Sequence, residues 1–180
     1  ANARKNVYCM WWSTVLEHCL VRAIARPSRH VNLVLSPDVD GVLSACLLAH
    51  YLWGKHNVAT HIVGTYNGRC IRSVNNVSTR ELCNAVWLDL DTRFTEVRTS
   101  VGNHFLGPVR VASGSFNPNA LFQIERFQDK YPFGTAHLLL FGPLRGIHIP
   151  NADLPSAQAI FAHADSCFYV CERYRKNAAR

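Results

Sequence analysis

Two aspartates one residue apart, Asp38 and Asp40, stand in the stretch Ser36-Pro37-Asp38-Val39-Asp40-Gly41. Ionised carboxylates at that spacing repel each other, and a hard divalent cation such as manganese or magnesium is the usual remedy. A second acidic pair, Asp89 and Asp91, follows the apolar run 85–88. An imidazole, His104, closes the glycine-led turn Val101-Gly102-Asn103-His104. Each group also has a plainer use. An aspartate after a strand caps the next helix, where its charge meets the positive helix end, and a histidine in a turn bonds to the backbone.

The elements around these residues must bring them together. Residues 31–35 form a short apolar run rich in β-branched side chains, as a covered strand of a parallel sheet does. Ser36-Pro37 ends that strand. Gly41 lets the chain bend closely, and 42–52 is expected as a helix with Val42, Ala45, Cys46 and Ala49 on its apolar face. Further strands are expected at 60–66, 85–88 and 108–112, and helices at 119–129, 136–144 and 156–176. Asn67-Gly68 is a turn signal, and Ser78 with Glu81 has the spacing of a capping box. Residues 10–25 have amphipathic helical spacing, with Trp12, Val15, Leu16, Cys19, Leu20 and Ala23 on one face. Alternating strands and helices of this kind predict an α/β fold, a mostly parallel sheet flanked by helices. Both acidic pairs then lie at the carboxyl edge, where open α/β sheets bind ligands. Residues 131–135, with Asn117-Pro118-Asn119, either wall a substrate site or only fix loop conformation; the second is the simpler use.

The 180 residues, 48% of them hydrophobic and 17% charged, suit one folded domain over 31–180 with an N-terminal arm and helix over 1–30. No apolar run reaches about 18 residues, so no membrane partner is expected. Seven cysteines, an odd number without a framework spacing, point to a reducing intracellular compartment. Up to Arg29, Glu17 faces five basic residues, a bias shared with mitochondrial presequences. The net charge is +7, and lysine occurs only at 5, 55, 130 and 176, so arginine dominates. Arginine's planar fork suits phosphate oxygens, which makes nucleic acid or a nucleotide the expected partner.

The motifs SPDVDGVLSACLLAHYL, VWLDLD, VGNHFLG and AHADSCF, in that order, resemble those of the DHH phosphoesterase superfamily. That family holds RecJ-type exonucleases, oligoribonucleases and a class of inorganic pyrophosphatases, and its parallel α/β domain carries two manganese ions. Asp38, Asp40, Gly41 and Ser44 match its first motif. Asp89, with Asp91 as the alternative, matches the second, His104 the last histidine of the third, and Asp165 the fourth. The resemblance implies a metal set of Asp38, Asp40, Asp89, His104 and Asp165, one or two Mn2+ or Mg2+ ions, and catalytic roles for His104 and Asp40. Ser44, Asn103, Arg69, Arg72 and Arg93 would meet the substrate, a phosphoester of nucleic acid or a nucleotide attacked by metal-activated water.

The departures are specific. Val34 stands where the family has its leading histidine, and Gly102 and Asn103 where it has the aspartate and first histidine of the third motif. The family's companion C-terminal domain is not in the sequence. The alternative function is therefore a degenerate DHH-like domain, serving as a basic structural or nucleic-acid-binding subunit of a larger protein or ribonucleoprotein assembly. A third, a haloacid dehalogenase-like phosphatase, would use Asp38 as nucleophile and need Lys130. His163, Cys167 and Cys171 share a helical face; a stripe of small residues explains them more simply than zinc does.

Overall fold

Residues 30–74, 76–90, 94, 96–106, 115–121, 123, 125, 126, 133–142 and 144–164 are described in the structure, a computed structural model. Strand β1 (His30–Leu35) shows why its sequence is apolar almost throughout. Val31, Leu33 and Leu35 pack into the core on one sheet face, while Val34 packs with Trp87 and Val63 on the other. A strand covered on both faces cannot alternate apolar with polar residues.

The chain continues through α1 (Val39–His56), β2 (Ala59–Tyr66), β3 (Ile71–Ser73), α2 (Thr79–Asn84), β4 (Val86–Leu88), β5 (Thr99–Val101) and β6 (Ser115–Phe116), then α3 (Pro118–Leu121), α4 (Thr135–Phe141) and α5 (Pro155–His163). The six strands make one sheet in the order β3-β2-β1-β4-β5-β6, parallel except for β3. The expected α/β class is what the chain adopts. From β1 the chain passes first to β2 on one side and later to β4 on the other, with Leu35 level with Leu88. The strand order thus reverses between β1 and β4, and such a switch point opens a crevice at the carboxyl edge.

Helix α1 covers one face together with α4. Gly41, Ser44, Ala45, Leu48 and Leu52 are buried on it, at three- and four-residue spacing. This corrects the expected face: Val42 and Cys46 are exposed, because the stripe starts one residue earlier than the one built on them. The helix also starts at Val39, before the expected 42, and runs on to His56, past the expected end at 52. Its end is set by Asn57, left-handed at φ 53, whose N–H bonds the carbonyls of Leu52 and Trp53. The Ser78–Glu81 capping box is formed at the start of α2.

Other boundaries differ. Residues 71–73 pair antiparallel to β2, and 99–101 and 115–116 are short parallel strands, none of them among the expected strands, with Val101 ending β5 rather than opening a turn. Three- and two-residue strands carry too little periodicity to be seen locally. Helices α3 and α4 end at Leu121 and Phe141, earlier than expected. Cys46, Cys70 and Cys83 are free thiols, and Cys46 and Cys70 are exposed. The expected helix at 10–25, the strand at 108–112 and the end of the last helix beyond 164 lie outside the described residues. Among the described residues no helix is long and apolar enough to cross a membrane.

Candidate functional site at the carboxyl rim of the sheet

Asp38 leaves β1 as the N-cap of α1. Its Oδ1 accepts the Gly41 N–H at 2.9 Å, and its Oδ2 accepts the Ser36 hydroxyl at 2.5 Å. Gly41 is required for space, since a Cβ there would collide with the Ser36 carbonyl. Asp40, in the first turn of the same helix and buried, reaches a different element. Its Oδ2 accepts the Thr135 N–H at 2.6 Å and its Oδ1 the Ala136 N–H at 2.9 Å. Both oxygens therefore satisfy opening amides of α4, which have no partner within their own helix. Gly134 passes so close that a Cβ would stand 2.6 Å from Asp40 Oδ2.

Asp89 follows β4 at φ 55, a left-handed conformation that aspartate tolerates better than most side chains. Its Oδ1 accepts the Thr135 hydroxyl at 2.9 Å. Thr135 thus joins the carboxylates from both strand ends. Burial, and then the charges of Asp40 and Asp38, hold the Asp89 carboxyl well above the usual carboxylate range. A hydrogen bond with Asp40 acts in the same direction, and the Thr135 hydroxyl acts against it. His104 Nε2 lies 3.9 Å from Asp89 Oδ1, with its side chain 41% exposed.

Asn103 is fully buried. Its Nδ2 donates to the Phe133 carbonyl at 2.6 Å, and its own carbonyl accepts from Asn119 Nδ2 at 2.5 Å. Asn117 Nδ2 donates to the Phe105 carbonyl, and its Oδ1 accepts the Asn119 N–H. Asn117-Pro118-Asn119 therefore fixes the loop that carries Asn103 and His104. Among the described residues, Asn103 Oδ1 and Ser44 Oγ are buried without a hydrogen-bond partner.

The rim gathers Asp38, Asp40, Asp89, Asn103 and His104, as the order of the motifs predicts. Arg69 and Arg72 are exposed on the β2–β3 turn and on edge strand β3, about 10 Å or two strand spacings from β1. Asp91, Arg93, Lys130, Asp165, Cys167 and Cys171 lie outside the described residues, as do Tyr131 and Pro132. The segment Phe133–Ala136, expected only as a break or a wall, is the hub of the site. Its signal was a Gly-Thr pair ahead of an apolar run; nothing local says that its amides meet a carboxylate 95 residues earlier.

The donor set does not fit the two-ion centre of the DHH superfamily. Val34 is packed against the opposite sheet face, Gly102 offers no side chain, and Asn103, whose Nδ2 is held by the Phe133 carbonyl, offers only a neutral amide oxygen. Asp38 and Asp40 present their oxygens to protein donors. Among the described residues no three His, Cys, Asp or Glu side chains are grouped so as to hold one ion. No family model, no curated protein and no solved structure matches this chain, so its likeness to that superfamily rests on the motif residues.

Proposed function

We propose that this chain is a DHH-like domain whose acidic rim has become a structural lock, and that it works by binding phosphate-bearing chains, nucleic acid foremost, within a larger assembly. The observation that carries this reading is the Asp40 carboxylate, both of whose oxygens accept backbone N–H groups of Thr135 and Ala136. A carboxylate so placed ties α1 to α4 and compensates part of its own charge, which are gains a protein draws from an N-cap. The basic charge of +7 supports the partner class.

A second reading, a phosphoesterase with a single manganese or magnesium ion, is favoured by Asp89. Its burial beside two other carboxylates is a cost that a cation would relieve, and strongly shifted groups concentrate at functional sites. In that reading Asp89 and His104 would hold the ion together with Asp38 and Asp40 once these gave up their protein donors, and the ion would lower the pKa of a bound water.

Manganese titration by calorimetry, with hydrolysis of a phosphodiester followed on wild type and Asp89→Asn, separates the two. Under the first reading neither protein takes up manganese tightly or hydrolyses the ester above background, and both bind a short single-stranded oligonucleotide alike. Tight manganese uptake and turnover, both lost in Asp89→Asn, would establish the second reading and overturn the first.

A further inference from the structure

A cleft of about 510 Å³ lies between the second half of α1 and the turn at 144–148. That volume is within the range of about 300–1,000 Å³ typical of small-ligand sites. Helix α1 runs from the carboxyl end of β1 to the amino end of β2, so this cleft opens at the amino edge of the sheet. His50 and Lys55 lie 10 and 15 residues beyond Asp40 on the helix, about 15–22 Å from the acidic rim.

Lys55 and Arg145 give the lining its charge, His50 and His148 add imidazoles, and none of the described residues lining it is acidic. Buried Tyr51 and Leu144 form an apolar floor. The walls are braced: His50 Nε2 donates to the His148 carbonyl at 2.9 Å, fastening the turn to the helix. Lys55 Nζ donates to the Tyr51 hydroxyl at 3.1 Å and sits 5.1 Å from the centre of that ring. Gly54 and Gly146 leave space on either side, since a Cβ at each would meet nothing within 4 Å. Lys55 near a helix C-terminus has an ordinary use, complementing the macrodipole. That use does not cover Arg145 and His148, which come from another segment, nor His50, which lies before the last turn.

We infer that this cleft binds the phosphate of a nucleotide, either free or as part of a strand; as a location for phosphate contact it rests on the nucleic-acid reading given above. Arg145 offers a planar fork and Lys55 a point charge to phosphate oxygens. The imidazoles of His50 and His148 are of the kind on which a base stacks. The helix's negative end opposes an anion, so the basic side chains must outweigh it.

The test compares Lys55→Glu/Arg145→Glu with Arg69→Glu/Arg72→Glu, all four positions being exposed. The probes are a single-stranded oligonucleotide of about ten nucleotides and a nucleoside 5′-monophosphate, read by fluorescence anisotropy and calorimetry. The cleft pair is expected to weaken oligonucleotide binding tenfold or more and to reduce the log–log salt slope by about 1.4, or 0.7 for each lost contact. The hairpin pair is expected to leave both nearly unchanged. Monophosphate binding lost in the cleft pair, without strand binding in wild type, would keep the site and overturn the nucleic-acid reading. Strand binding weakened only by the hairpin pair would overturn the cleft and leave that reading standing. Binding of neither probe at low salt would overturn both.

Discussion

Asp89 sets the electrostatics of the rim. Its carboxyl is raised by burial first, then by Asp40 and Asp38. A carboxyl raised on folding binds more protons in the native than in the unfolded chain between the unfolded value, about 3.9, and the higher folded one. Its contribution to stability therefore falls as pH rises through that window, and the full cost persists above it. Asn at this position keeps an acceptor for the Thr135 hydroxyl and loses the charge. Asp89→Asn is expected to be more stable than wild type at pH 8, by about 1.4 kcal/mol for each unit of displacement relieved. The advantage should shrink as pH falls through the window. Urea unfolding of the two proteins between pH 5 and pH 8 measures this. A variant less stable than wild type at every pH would show that the Asp89 charge is already compensated where it stands.

At the scale of elements, the junction between α1 and α4 holds the rim together. Gly134 has an ordinary negative φ of −70, so alanine there carries no backbone penalty. The conflict is one of space, because the added Cβ would stand 2.6 Å from Asp40 Oδ2. Either the carboxylate leaves the Thr135 and Ala136 amides or α4 shifts away from α1. Gly134→Ala is expected to cost about 1–3 kcal/mol in thermal or chemical unfolding, the usual range for overpacking. Gly54→Ala serves as control: with nothing within 4 Å of its Cβ and a helical backbone, it should be neutral or mildly stabilising. Equal effects from the two would mean that the Asp40–α4 junction does not carry the load assigned to it.

Across the whole molecule, the acidic rim and the basic cleft lie at opposite edges of one sheet. Carboxylates crowd the carboxyl edge at the β1–β4 switch point, and the basic cleft opens at the amino edge, an α1 length away. Strand binding by such a surface depends on salt. With about two phosphates neutralised by Lys55 and Arg145, at about 0.7 for each on a single strand, affinity should fall about sevenfold from about 50 to about 200 mM salt. Anisotropy titrations at the two concentrations check this, and affinity indifferent to salt would remove phosphate contact as the basis of binding.

Sequence alone determined the α/β class, the strand that leads into Asp38 and Asp40, the Ser78–Glu81 cap and the placement of Asp38 and Asp89 just past strand ends. These are local matters: a run of β-branched residues, a proline, a capping pair and the order of elements act within a few residues of themselves. Only the tertiary structure decided what the carboxylates do. Asp40 meets amides 95 and 96 residues later, a partnership no local pattern encodes. The choice between ligand and cap depended on which donors the fold brings to the rim. The buried face of α1 was settled in the same way, because the sheet it packs on, and not its own composition, selects the stripe.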